Sequence, residues 1–115
     1  MDNRERFRIR SKIWIEDANG QVVFGNGRYR MLMAIDRHRS LQMAARELQM
    51  SYRALWGRVK ASEERLGRVL VVREGRGSCL TPFARELLAS FARLEQEVRD
   101  RADQAYAGLV AGGLR

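Results

Sequence analysis

One cysteine, one histidine and one proline are all that this chain of 115 residues carries of those three types. A single thiol cannot make a disulfide framework, so a reducing compartment fits, and Cys79 is expected to be a buried structural thiol. With His38 as the sole imidazole, there is no Cys–His or Ser–His grouping that a fold would bring together. Metal-ligand spacing and carboxylates paired on one face near a cleft are also missing. Catalysis, a metal and a cofactor are therefore not expected. His38 falls near a helix end and is expected to cap carbonyls there. No apolar run reaches the length of a membrane span. The opening Asp2-Asn3-Arg4-Glu5 lacks the apolar core of a signal peptide. A cytoplasmic protein with no membrane partner is expected.

Acidic residues are in the minority. Arg and Lys number 22 against 14 Asp and Glu, for a formal net charge of +8. The excess is concentrated. Residues 25–82 hold twelve basic and five acidic side chains, a net of +7, whereas residues 83–115 hold five of each. A basic middle beside a neutral tail points to a surface for a polyanion on one module. The length suits one domain with a modest core of its own.

Within the basic region, Ser40 to Leu66 reads as two short helices joined by a tight turn. Ser40 is a good N-cap, because its hydroxyl can accept from a free amide of the first turn. Leu41, Ala44, Ala45 and Leu48 follow at i, i+3, i+4 and i+7, one helical face. Gln49-Met50 makes the turn, and Ser51 is a second N-cap. Leu55, Val59 and Leu66 line the buried side of the next helix; Arg53, Gly57 and Lys60 lie opposite, with Tyr52 and Arg58 at the margins. Trp56 is expected to pack against the domain, with contact to DNA as the alternative. Two alanines on the inner face of the first helix let the second pack closely across it. That is the build of a helix-turn-helix, whose second helix enters the major groove of DNA.

The flanks extend this reading. Residues 8–16 end in β-branched and aromatic side chains, Asp17-Ala18-Asn19-Gly20 is turn chemistry, and Gln21 to Phe24 returns, so 8–24 is expected to be a two-stranded ribbon. Gly25-Asn26-Gly27 breaks it, with Asn26 as N-cap of a helix from Gly27 to about Arg37. That glycine pair lacks the third glycine of a nucleotide-binding fingerprint and the parallel-sheet strand before it. After Leu66, Gly67 is a C-cap, Val69–Arg73 a short buried strand, and Glu74-Gly75-Arg76-Gly77-Ser78 a turn before Cys79-Leu80 returns. Beside a helix-turn-helix such a hairpin is a wing, with Arg76 supplying charge at a tip that can come close to a phosphate or groove wall.

Thr81-Pro82 opens the last helix as N-cap and first helical residue. Phe83, Leu87, Phe91, Leu94, Val98, Ala102, Ala105 and Leu109 recur at spacings of three and four with charge between them. The stripe outruns what a small core can cover, which favours the seam of a homodimer over a helix folded back on its own domain. Leu87, Phe91, Leu94, Val98, Ala105 and Leu109 are the expected interface. The fold expected is mainly α with a small β component (α+β): a winged helix-turn-helix with an N-terminal β-ribbon and a long C-terminal dimerisation helix. A single domain is expected over 1–115, with the ribbon at 8–24, helix-turn-helix and wing at 26–82, and the long helix at 83–111.

That order of elements resembles the N-terminal domain of molybdate-responsive, ModE-type regulators. Ser51-Tyr52-Arg53-Ala54-Leu55-Trp56 is similar to the Ser-Tyr-Lys-x-x-Trp opening of that family's recognition helix. Ala44-Ala45-x-x-Leu48, Glu64-x-Leu66-Gly67 and Leu80-Thr81-Pro82 also resemble the DNA-binding domain of LysR-type regulators. Both families share the winged-helix fold. The resemblance implies a sequence-specific transcriptional regulator of bacterial type whose partner is double-stranded DNA. The helix beginning at Ser51 would read bases and the wing would lie on the flanking backbone. Ser40, Gln42, Ser51, Tyr52, Arg53, Gly57, Arg58, Lys60 and Arg76 are the candidate DNA-binding residues. The 115 residues hold no counterpart of the molybdate-binding sensor domain, so no molybdate site is expected. The wing is shorter than the glycine-rich one typical of ModE-type proteins, and Ser62 replaces a larger apolar side chain, which is expected to loosen the core. The alternative function is a winged-helix protein-interaction module that has lost DNA binding, which would have no need of +7 over the reading region.

Overall fold

Asp17 closes the first hairpin. Its Oδ1 accepts from the amides of Asn19 (2.9 Å) and Gln21 (3.0 Å), and Gly20 takes the positive φ of +80° that the turn demands. In the computed structural model, which describes residues 6–113, this turn joins β1 (Trp14–Glu16) to β2 (Val22–Gly25) as an antiparallel pair with a bulge at Ile15/Glu16. The ribbon is shorter than the 8–24 expected from the sequence, since residues 7–13 take no regular form. α1 (Asn26–His38) follows β2 without a linker. The N-cap position is therefore Gly25, which makes no side-chain cap bond, and Asn26 is already helical. Gly25 pairs with Trp14, whose Cβ lies 3.0 Å from where a Cβ on Gly25 would stand; the close strand contact explains the glycine.

α2 (Leu41–Glu47), α3 (Tyr52–Leu66), β3 (Val71–Glu74), β4 (Gly77–Leu80) and α4 (Pro82–Gly112) complete the order. The local signals act as expected. Ser40 Oγ accepts from Met43 N at 3.1 Å and Ser51 Oγ from Ala54 N at 3.0 Å. Gly67 ends α3 in the left-handed conformation with φ +69°. Thr81 Oγ1 accepts from Ala84 N at 3.1 Å and donates to Val69 O at 2.8 Å, which ties the start of α4 to the loop before β3. That loop holds Val69 out of the strand, 54% exposed, so the buried strand expected from Val69 begins at Val71 instead.

Residues Trp14–Ala89 form one compact unit. Its centre is Phe24, Leu32, Ile35, Leu55, Val59 and Leu70, all fully or almost fully buried. Each such side chain contributes about 1.5–3 kcal/mol by leaving water. Ala44 and Ala45 are buried too, and their small size lets α2 lie close to α3. Ser62 belongs to this core and does not loosen it. Its hydroxyl donates to Val23 O at 2.7 Å and accepts from Arg28 Nε at 3.2 Å, so a fully buried polar group is satisfied on both sides. Together with Arg65, which donates to Val22 O, it fastens β2 to α3.

The second unit holds the remaining described residues, 6–13 and 90–113. Its part of α4 is a surface helix stitched by local bonds such as Gln96 Nε2 to Asp100 Oδ1 at 2.8 Å. Leu94 and Leu109 stand 44% and 57% exposed, Ala105 is exposed and Val98 half-buried. Phe91 differs: at 2% exposure it is covered within the single chain, which removes it from any surface a second copy could reach. Leu87, in the first unit, is half-buried.

Candidate nucleic-acid interface

The candidate residues lie on three chain segments of the first unit. The first is the start of α2, with Ser40 capping it and Gln42 exposed in its first turn. The second is α3 from Tyr52 to Lys60. Leu55 and Val59 point into the core, which leaves Arg53, Gly57 and Lys60 on the outer row and Tyr52 and Arg58 exposed at its margins. The turn between α2 and α3 is tight because Gln49 adopts a left-handed φ of +56°. The capping oxygens of Ser40 and Ser51 are occupied by backbone amides, so each hydroxyl would meet a phosphate as a donor.

The wing is the third segment. β3 and β4 pair from Val71↔Leu80 to Glu74↔Gly77, leaving Gly75-Arg76 as a two-residue turn, with Gly75 at φ +60°. Arg76 is exposed at its tip. The wing is pinned to the α1–α2 junction: Ser78 N donates to Arg39 O at 3.0 Å. Arg39 itself is left-handed at φ 54°, which turns its carbonyl toward the wing. A Cβ on Gly77 would stand 2.4 Å from that carbonyl oxygen, so only glycine fits there. Arg39 directly precedes the α2 cap, so this contact sets the wing beside the start of α2.

Charge along α3 is less uniform than the sequence suggests. Lys60 Nζ lies 3.1 Å from Glu63 Oε1 and 4.6 Å from the centroid of the Trp56 ring. Its ammonium is therefore partly neutralised, and the half-buried Trp56 serves as its platform. On the opposite flank Arg58 adds to a cluster with Arg28 and Arg65. Burial first, then the like charges of Arg58 and Arg65, push the Arg28 guanidinium down from its ordinary value.

Several structural residues were not evident from sequence. Glu63, buried at the end of α3, accepts through Oε2 from Leu70 N (2.8 Å) and Val71 N (3.2 Å), and so holds the start of β3. His38 does not cap carbonyls. Its Nε2 lies 2.7 Å from Glu47 Oε1, because the α1–α2 turn brings the two helices side by side and offers a carboxylate in place of a helix end. Arg37 pairs with the same carboxylate. Hydrogen bonding from His38 and then Arg37 draws the Glu47 pKa down. Cys79 is buried as expected; its thiol donates to Glu74 Oε2 at 3.1 Å, and that bond raises its pKa.

No helix among the described residues is long and apolar enough to cross a membrane. The chain is similar to the molybdenum transport protein ModE of Azotobacter vinelandii, 32% identical over 104 residues, covering 84% of this chain and 38% of that protein. It is also similar to the molybdenum-pterin-binding protein MopB of Rhodobacter capsulatus, 35% identical over 79 residues, covering 64% of this chain and 29% of that protein. It thus spans little more than a third of the first of these relatives and less than a third of the second. Among solved structures, that of a CbnR_DBD-DNA complex shares the fold, with TM-score 0.58 at 24% identity over 72% of this chain and 95% of that one. The family model described as "Bacterial regulatory helix-turn-helix protein, lysR family" matches residues 27–85, just over half of the chain, from the start of α1 into α4. The chain belongs to that family of bacterial regulators.

Proposed function

We propose that the chain binds duplex DNA in a sequence-specific way as the reading module of a transcriptional regulator, and that it is not an enzyme. What supports this reading is the set of exposed basic side chains on the outer face of α3, Arg53 and Arg58, and at the tip of a wing pinned beside the start of α2, Arg76. A helix presented in this way fits the major groove, and an arginine on a pinned hairpin fits the adjoining backbone. The fold shared with a CbnR_DBD-DNA complex supports the same mode. In this reading the protein acts in the cytoplasm, where its DNA is. The molybdenum in the relatives' names stays with those proteins, of which this chain spans the smaller part.

The same reading makes the protein a homodimer through the distal part of α4, where Leu94 and Leu109 are exposed and Val98 is half-buried. Two copies would read half-sites one helical turn, about 34–36 Å, or a small multiple apart. The test is Arg53→Ala measured on duplexes selected by the unaltered protein from a random pool. If Arg53 holds a guanine with two nitrogens, the change costs about 1–3 kcal/mol and relaxes preference at one base pair of each half-site. Unchanged affinity and preference would remove Arg53 from the reading surface.

A further inference from the structure

A glycine in mid-helix destabilises the helix, and a reason for keeping it is sought in its backbone or its neighbours. Gly57 has neither reason. Its φ is not positive, so an L side chain fits the backbone. A Cβ placed on it would meet no atom within 4 Å, so no packing in the chain excludes one. It is exposed in the interior of α3, the sixth residue of a 15-residue helix. Within the protein the absent side chain is a cost without a return, which directs attention to something outside it.

The neighbours of Gly57 say what approaches. Arg53 lies one turn before it and Lys60 nearly one turn after, on the same outer row, with Arg58 beside it. Glu64 is the next exposed residue of that row, and its negative charge marks where a polyanion stops being favoured. Gly57 is therefore the midpoint of the basic stretch. Larger side chains flank it, with Trp56 carrying the Lys60 ammonium on one side and Arg58 on the other. The result is a bare strip of helix backbone between raised margins.

We infer that Gly57 is the point of closest approach between α3 and DNA, where the helix backbone seats directly on base edges at the floor of the major groove. This deepens the DNA-binding reading and rests on it. Without a Cβ at the midpoint, α3 sits deeper, and Arg53 and Arg58 reach down on either side. A methyl group there lifts the helix and loosens both. Contact at the floor exists only when the groove matches the protein, so the effect belongs to the selected sequence more than to DNA in general.

The test compares Gly57→Ala with the unaltered full chain. The probes are a duplex selected by the unaltered protein from a random pool and a duplex of scrambled sequence. Thermal melting should rise by roughly 3–6 °C, as for a mid-helix Gly→Ala change in a domain of this size. Affinity for the selected duplex should fall about tenfold or more, while affinity for the scrambled one changes less than about twofold. Gly27→Ala, at an exposed helical glycine also without neighbours within 4 Å, serves as control and should leave both affinities unchanged. Unchanged affinity for the selected duplex overturns the inference while leaving DNA binding intact. An equal loss on both duplexes puts the contact at phosphates and overturns the seating on the groove floor. A lower melting temperature overturns the claim that the chain itself has no use for the glycine. Failure of the unaltered protein to bind any duplex defeats the underlying reading instead.

Discussion

Replacing Glu63 with alanine removes the acceptor that two backbone amides share. Leu70 N and Val71 N reach Glu63 Oε2 at 2.8 and 3.2 Å, and the residue is 8% exposed. Hydrogen bonds to a charged group contribute about 1.5–3 kcal/mol, and a buried donor left without a partner costs about 1–3 kcal/mol. Leu70 and Val71 are both buried, so neither amide gains much from water once the carboxylate is gone. The lost ion pair with Lys60 is exposed on the lysine side and adds little. A loss of about 3 kcal/mol follows, which in a domain of this size lowers the melting temperature by roughly 10–25 °C. Glu63→Gln keeps one acceptor oxygen and should lose about a third of that. Circular dichroism melts of the three proteins, with hydrogen exchange at the two amides, test the reasoning. A drop below about 3 °C for Glu63→Ala, or equal losses for alanine and glutamine, would show that these bonds do not anchor β3.

Three further outcomes follow from the same geometry. Gly77→Ala should cost about 2–3 kcal/mol, since its Cβ would meet Arg39 O at 2.4 Å and that backbone cannot yield cheaply; faster hydrogen exchange at Ser78 N would report the wing leaving its dock. Glu47 carries a depressed pKa, so its bonds to His38 and Arg37 stabilise the fold fully above the ordinary carboxylate range and are lost as pH falls through the depressed value. The stability gap between the unaltered protein and Glu47→Gln, followed by urea unfolding, should therefore be constant at neutral pH and close only in acid; a gap that widens in acid would contradict the assignment. Charge at Leu94 and Val98 together should give a folded monomer by sedimentation with much weaker DNA binding, whereas a monomer before any change would refute the dimer.

Much of the fold was readable because its signals are local. Ser40, Ser51 and Thr81 cap helices whose first amides lie three residues away, and Gly67 supplies a left-handed turn that few other residues adopt. Periodicity found the core faces of α2 and α3. What was missed joins residues far apart in sequence: Ser62 to Val23, Arg65 to Val22, Gly77 to Arg39. No spacing announces such pairs. One clue was present, because Ser62 falls in phase with Leu55 and Val59, and a polar side chain at a core position must find partners. On the interface, the helical phase of Arg53 and Gly57 was legible, but the binding of Lys60 to Glu63 was not. The burial of Phe91 also escaped the heptad-like stripe, since a stripe gives the apolar face and not what covers it.

The central claim is that the exposed basic residues of α3 and the wing hold duplex DNA, and the salt dependence of binding tests it most directly. If Arg58, Lys60 and Arg76 each neutralise one phosphate, log affinity plotted against log salt should fall with a slope of about −2.7 per protomer or steeper. Arg76→Ala should flatten it by about one. Fluorescence anisotropy of a labelled duplex between low and physiological salt measures both. A flat response, or no binding at low salt, would contradict the account.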